Sequence, residues 1–180
     1  GTLARREVAA YELAEAAGWR HVPPTVLREQ GPFGPGMCQQ WIDAPDGAVS
    51  WVDVVAPAEV EPGWHVVLEA MDDSGAPVVL VHADTPDLRR LALFDVVVNN
   101  ADRKGGHVLA APAAVGRTAI FGVDHGVCFH PDPKLRTVLW GWSGEAITAS
   151  ERAELVSLRE ALGRDLGHTL NTLLSGAEVA

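Results

Sequence analysis

Two short segments of the chain hold the residue types that phosphoryl-transfer chemistry needs. The first, FDVVVNNADRKGGHVL at 94–109, contains Asp102 and His107, and the second, FGVDHG at 121–126, contains Asp124. Two carboxylates with a histidine between them suit a divalent cation and leave a carboxylate to orient an attacking hydroxyl. This combination is compatible with a metal-assisted phosphotransferase centre if the fold brings the two segments together.

The elements around these segments are predicted to bring them together. Thr85 and Pro86 suit the N-cap and the first position of a helix, and apolar residues then recur at three- and four-residue steps. We therefore expect a buried helix that runs to about Asn99 and ends in the polar loop. Strands over 107–111 and 117–123 are predicted to form a hairpin, which returns the second segment to that loop.

The rest of the chain is predicted from local start and stop signals. The expected elements are a helix over 3–17, strands over 21–27 and 36–43, a helix that opens with the capping box at 148–151, and a last helix that stops near Gly176. Gly163 and Gly167 are expected to interrupt the helix that opens at 148, before the last helical segment. Residues 44–84 have many Pro and Gly and only short apolar runs, so this stretch is the least predictable.

The two polar segments resemble the catalytic motifs of the phosphatidylinositol 3-/4-kinase-like superfamily, which includes type II phosphatidylinositol 4-kinases and HipA-type bacterial kinases. In that superfamily, Asp-Arg is followed by a metal-binding Asn five residues after the Asp, and a later Asp-x-Gly supplies a second metal ligand. The corresponding residues here are Asp95, Asn100, Asp102, Arg103, His107, Asp124 and Gly126. The resemblance is closer still to a bacterial branch of actinobacterial type, and it covers most of the chain.

The resemblance implies an α+β, protein-kinase-like fold and the transfer of phosphate from ATP to a hydroxyl group. Asp102 would be the catalytic carboxylate, and Arg103 beside it would stabilise the loop or pair with phosphate. Asp124 would be the principal Mg²⁺ ligand. His107 stands where the superfamily has Asn, and imidazole binds Mg²⁺ less readily than an amide oxygen does, so either Mn²⁺ is preferred or water replaces this ligand.

The same resemblance implies a nucleotide site earlier in the chain. The segment GMCQQWID at 36–43 resembles the hinge strand of the type II kinases. The backbone of four hinge residues would hold the adenine ring: Gln39, Gln40, Trp41 and Ile42.

The small lobe of such a kinase is predicted to be incomplete in this chain. Glu7 resembles the acidic residue that positions a nucleotide-binding lysine, yet the first lysine in the sequence is Lys104. We therefore predict a partial small lobe and hinge over 1–43 and a mainly helical large lobe over 44–180. The strands that carry the missing lysine are expected to precede Gly1.

Composition restricts the partners of the chain. Its 24 acidic and 14 basic residues give a net charge of -10 and a pI near 5.0, which argues against nucleic acid as a partner. Between Asp87 and Arg136 the basic residues exceed the acidic ones by only two, which is little for docking on anionic lipid. A protein or a soluble small molecule is therefore preferred to a phosphoinositide as the phosphoacceptor.

The cysteines and the hydropathy favour a cytoplasmic protein. Cys38 and Cys128 are far apart without metal-type spacing, and both are predicted to be small buried apolar residues. No apolar run approaches the length that spans a bilayer.

Two other functions remain open from the sequence. A metal-dependent hydrolase would draw Zn²⁺ or Mn²⁺ ligands from His82, Asp84, His107, Asp124, His125 and His130. A kinase-like fold that binds nucleotide without catalysis is favoured by the absent lysine and by His107.

Overall fold

The protein is a mixed α+β structure in the computed structural model, which describes residues 2–43, 50–112 and 118–179. The five helices in those ranges are α1 (Leu3–Ala16), α2 (Pro86–Val97), α3 (Ala149–Leu162), α4 (Asp165–Leu173) and α5 (Gly176–Val179). The seven strands are β1 (Thr25–Arg28), β2 (Gly36–Gln39), β3 (Val52–Val55), β4 (Trp64–Met71), β5 (Pro77–Ala83), β6 (Val108–Pro112) and β7 (Thr118–Gly122). Of these helices, none has the length and apolar character needed to cross a membrane.

The strands form three small antiparallel sheets. β1 pairs with β2, and β6 pairs with β7, each in a two-stranded ribbon. In the third sheet β5 lies between β3 and β4, so that His82 of β5 is opposite Val52 on one side and His65 on the other. β3 and β4 are therefore the edges of this sheet.

The hydrophobic core is built around α2. Its residues Leu88, Leu91 and Phe94 are fully buried, and burial of each such side chain stabilises the fold by about 1.5–3 kcal/mol. The helix begins as predicted, because the Thr85 hydroxyl accepts a hydrogen bond of 3.2 Å from the N–H of Leu88. It ends before Asn99, which has a left-handed φ of 46°.

The predicted helices and the predicted hairpin are confirmed with small shifts at their ends. α1 stops one residue before the expected end, α3 and α4 are separated at Gly163, and β6 and β7 pair antiparallel. The interruption expected at Gly167 is wrong, because this residue lies inside α4, where a glycine costs only about 1 kcal/mol relative to alanine. The turn that joins the two hairpin strands lies outside the described residues. The strand predicted over 21–27 begins only at Thr25, because Pro23 and Pro24 have no N–H group to donate to a sheet.

The prediction of a mainly helical region after residue 43 is wrong for residues 52–83. They form the three-stranded sheet, in which the four-residue strand β3 is too short to show a period in the sequence. The prediction for Cys38 is also wrong, since its side chain is exposed on the β1–β2 ribbon, whereas Cys128 is buried as expected.

Candidate functional site

The loop that follows α2 is anchored by a buried carboxylate. Asp95, in the last turn of α2, has no exposed surface and receives a salt bridge of 2.8 Å from the guanidinium of Arg103. It also accepts hydrogen bonds from the Asn100 amide at 2.8 Å and from the Thr137 hydroxyl at 2.9 Å. These contacts hold the loop in one conformation from both of its ends.

Arg103 uses the rest of its guanidinium to join the two polar segments. Its Nη1 donates to the carbonyl of Val123 at 2.9 Å, and its Nη2 donates to Nε2 of His125 at 2.8 Å. The side chain has no exposed surface. Of the two roles that the sequence leaves open for Arg103, this geometry favours stabilising the loop over pairing with phosphate.

Asp102 is presented to solvent by the same loop. Its N–H donates to the side-chain oxygen of Asn100 at 3.1 Å, and its carboxylate lies 2.8 Å from Nζ of Lys104. The hydrogen bond from Lys104 lowers the pKa of the Asp102 carboxyl. Asp102 is therefore ionised at neutral pH, which is the state in which a carboxylate can accept a proton.

His107 and Asp124 are brought together by the hairpin. The N–H of Val123 donates to the carbonyl of His107 at 3.0 Å, which places Nε2 of His107 3.4 Å from the carboxylate of Asp124. Asp124 has a left-handed φ of 61°, a conformation that Asp tolerates better than most residues, and its side chain is 62% exposed. The pair can supply one nitrogen and one carboxylate to a cation.

Glu7 reaches this region from α1 and lies against the second polar segment. Because Arg103 donates to Nε2 of His125, Nδ1 of that ring carries the proton. This Nδ1 lies 3.8 Å from Oε2 of Glu7, which is too far for a hydrogen bond. Burial raises the pKa of the Glu7 carboxyl, although the backbone N–H groups of His125 and Gly126 act in the opposite direction. Within the described residues, Glu7 thus faces the His125–Gly126 backbone rather than a lysine.

A cleft of about 580 Å³ joins several of the predicted site residues. We call it the hinge cleft, and it is lined by Glu7, Met37, residues 39–43, Gly106, Leu109, Val123 and Asp124. Asp102, Arg103 and His107 do not line it, but His107 contacts Asp124 at its rim. The structure thus groups the four hinge residues with Glu7 and Asp124, and places Asp102 and His107 on the adjoining loop.

The hinge backbone is only partly free to bind a ligand. The N–H of Gln40 donates to the carbonyl of Pro24 at 2.8 Å, which removes it from any contact with a base. The backbone N–H groups of Trp41 and Ile42 have no partner among the described residues. The Trp41 side chain is 86% exposed, so its indole face is open beside these groups.

The residues of the hydrolase interpretation do not form one site. His82 accepts from the N–H of Gly141, His125 is buried beside Arg103, and His130 lies next to Lys134. Within the described residues, no group of three or more His, Cys, Asp and Glu side chains is arranged to hold a metal ion. A cation at the His107–Asp124 pair would therefore take its other ligands from phosphate and water, as Mg²⁺ commonly does.

Sequence reasoning missed some contributors to this region. Thr137 bonds Asp95 from 42 positions further along the chain, and no local pattern marks it. Met37, Asp43 and Leu109 line the hinge cleft because of tertiary packing. Asp43 could have been suspected from its place next to the hinge, whereas the two apolar residues carry no such signal.

Comparison with known proteins gives one extended similarity. The chain is 44% identical over 187 residues to the protein Rv2133c of Mycobacterium tuberculosis (strain ATCC 25618 / H37Rv). This alignment covers 99% of the chain and 66% of Rv2133c, so the chain spans just under two thirds of that relative. No family model matches the chain. The chain is thus similar along almost its whole length to a mycobacterial protein whose name states no activity.

Proposed function

We propose that the chain carries the catalytic region of an ATP-dependent phosphotransferase of kinase-like fold. The observation that supports this most directly is the hinge cleft, which gathers Glu7, the 39–42 segment and Asp124 in one cavity. Asp102 lies on the loop beside that cavity, with its side chain half-exposed. The phosphate donor, the cation and the acceptor hydroxyl would then meet at the rim of the hinge cleft, as phosphoryl transfer requires.

The nucleotide base is assigned to the 39–42 end of the cleft. The N–H groups of Trp41 and Ile42 are available to adenine nitrogens, and the exposed indole of Trp41 offers a stacking surface. The phosphates would then extend toward Asp124. A cation held by Asp124 and His107 would neutralise phosphate charge, and the imidazole ligand favours Mn²⁺ relative to a site made only of oxygens.

Asp102 is assigned to the acceptor hydroxyl. Its carboxylate is ionised at neutral pH, because Lys104 lowers its pKa. Such a group positions the hydroxyl by accepting its hydrogen bond and takes the proton late, when the bond to phosphorus is already forming. Arg103 and Asp95 act indirectly by holding the loop that carries Asp102.

A nucleotide-binding module without catalysis is the second candidate. It is supported by His107, which stands where the superfamily has Asn, and by the ion pair that engages Lys104 with Asp102. This candidate predicts nucleotide binding at the same cleft without phosphate transfer.

The two candidates are tested on the full-length protein with ATP and either Mg²⁺ or Mn²⁺. Nucleotide binding is followed by the thermal melting temperature, and transfer is followed by ADP release with peptide and small-molecule hydroxyl acceptors. We expect Asp102→Asn to keep nucleotide affinity within about twofold and to lose about a hundredfold or more of the transfer rate. Asp132→Asn, an exposed aspartate outside the cleft, serves as the matched control.

Asp124→Asn gives a separate readout, because it is expected to weaken nucleotide binding only when the metal ion is present. Full transfer activity in Asp102→Asn, or no ATP-dependent rise in melting temperature with either metal ion, contradicts the phosphotransferase. Binding without transfer to any acceptor favours the second candidate.

A further inference from the structure

A second cavity, besides the hinge cleft, adjoins the loop that carries Asp102. It is a groove of about 480 Å³ between strand β3 and strand β6, and we call it the strand groove. The residues that matter for its shape are Val52, Asp53, Val54, Gly106, Leu109 and Ala110. Most of its lining residues have apolar side chains, and Asp53 is the acidic side chain among them.

The strand groove and the hinge cleft meet at a shared rim. Gly106 and Leu109 line both cavities. A Cβ atom on the neighbouring Gly105 would lie 3.2 Å from the Val52 side chain, so the loop sits directly on β3. A hydroxyl group bound in the strand groove would therefore be presented beside the loop of Asp102, at the phosphate end of the hinge cleft.

The groove runs between two strand edges that bind no further strand. β3 pairs with β5 alone and β6 pairs with β7 alone among the described strands. The outward N–H of Val54 is covered by the Asp53 carboxylate at 2.7 Å, a local contact that an incoming chain can replace. Backbone edges on both sides, with apolar side chains between them, fit an extended polypeptide segment.

The charge of the chain is unevenly distributed along the sequence. Of the 24 acidic residues, 11 lie between Glu29 and Leu88, a stretch that contains no Lys or Arg. The rest of the chain, with 13 acidic and 14 basic residues, is nearly balanced. The whole net negative charge thus belongs to the stretch that includes β3, β4 and β5. The negative charge of this stretch attracts a cationic partner and repels anionic lipid and nucleic acid.

We propose that the strand groove binds an extended, basic polypeptide segment as the phosphoacceptor. The role of this segment as acceptor rests on the proposed function, whereas its binding does not. In the reaction, the acceptor hydroxyl oxygen forms a bond to the terminal phosphorus of ATP, the bond from that phosphorus to the bridging oxygen breaks, and ADP leaves. The hydroxyl proton passes to the carboxylate of Asp102 and from there to water.

The test uses the full-length protein and a fluorescent, serine-containing peptide in which arginine alternates with alanine. Fluorescence anisotropy measures binding. Asp53→Lys puts a cation in the groove and is expected to weaken binding about tenfold, because attraction becomes repulsion. Glu160→Lys makes the same change of charge at an exposed position of α3 and is expected to weaken it less than about twofold.

Val54→Trp tests the groove independently of charge. Val54 is 57% exposed, so a larger side chain is tolerated by the fold but narrows the groove. Weaker peptide binding by this variant, with an unchanged melting temperature, supports the assignment. In a transfer assay Asp53→Lys should raise the KM for the peptide and leave kcat unchanged.

Three outcomes overturn the assignment. A peptide with glutamate in place of arginine binds equally well, or Asp53→Lys and Glu160→Lys weaken peptide binding equally. The third outcome is that spermine displaces the peptide and binds as tightly as the peptide does. If phosphate is transferred to other acceptors but the peptide does not bind, the assignment of the strand groove is contradicted and the proposed function is not. If the peptide binds and Asp53→Lys weakens its binding, but phosphate is transferred to no acceptor, the binding site is supported and the proposed function is contradicted.

Discussion

Asp95 and Arg103 form an ion pair with no exposed surface, next to an exposed loop. Removing two charges from water is costly, and the pair compensates for this only because its remaining hydrogen-bonding groups are engaged. Asn100 and Thr137 complete the shell of Asp95, while Val123 and His125 accept from Arg103. At the scale of single residues, buried side chains thus hold Asp102 in its half-exposed position.

Arg103→Met is predicted to destabilise the protein strongly. The variant leaves the buried Asp95 carboxylate without its cation, and breaking a buried pair in this way typically costs about 3–5 kcal/mol. The free energy of unfolding in urea measures this loss. Arg152→Met, at an exposed position of α3, is the matched control and should change stability by less than about 0.5 kcal/mol. A small loss in Arg103→Met would contradict the anchoring role.

Strand β7 approaches α2 and Arg103 closely at Gly122. A Cβ atom there would lie 2.9 Å from Cδ1 of Leu91 and 3.1 Å from Nη2 of Arg103. The N–H of Gly122 donates to the carbonyl of His21 at 2.7 Å, which fixes the end of the hairpin. At the scale of elements, this close approach sets the distance between the two polar segments.

Gly122→Ala is predicted to destabilise the protein by about 1–3 kcal/mol, the usual range for an added methyl in a packed core. Under the proposed function, the same substitution should lower the rate of phosphate transfer, since it pushes Arg103 and the hairpin apart. Unfolding in urea gives the first quantity and ADP release the second. Gly176→Ala is the control, because a Cβ atom there meets nothing within 4 Å. Equal stability of the two variants would show that the hairpin can shift freely.

Buried histidines link the stability of the whole molecule to pH. His21 stacks on Trp19 and meets the edge of Phe94, and neither of its ring nitrogens has a hydrogen-bond partner among the described residues. Burial, with smaller effects from the charges of Arg103 and Arg90, lowers the pKa of His21 to about 3. Burial also lowers the pKa of His125 well below its ordinary value. Both rings are therefore neutral in the folded protein.

The protein is predicted to lose stability on acidification below about pH 6.5. There the unfolded chain binds protons at His21 and the folded chain does not, so the free energy of unfolding falls as the pH drops toward 3. One such group contributes a slope of about 1.4 kcal/mol per pH unit. His21→Phe should reduce the slope measured by denaturation between pH 6 and 5 by about this amount. An unchanged slope would contradict the burial of His21 in neutral form.

Local signals were enough to predict the elements that carry the candidate chemistry. Thr85 caps α2, apolar spacing marks its buried face, and the two strands after His107 pair as a hairpin. These features depend on neighbours within a few positions along the chain, and such preferences can be read from short windows. The residues of the two polar segments were singled out because their types suit a divalent cation and because the segments resemble the motifs of a kinase superfamily.

Tertiary packing decided which of those residues face solvent and which cavities they line. Arg103 and Asp102 are adjacent in sequence, yet Arg103 is buried in an ion pair and the Asp102 side chain is half-exposed, because Asp95 and Thr137 meet only in the folded chain. The strand groove likewise forms where β3 and β6 come together. These two strands are far apart in sequence, and no local pattern indicates their contact. The sequence by itself determined the helices, the hairpin and the residue types that the loop carries. Contacts between residues far apart in sequence, which leave no local pattern, decided how β3 joins the sheet of residues 52–83 and how the two cavities that share Gly106 form.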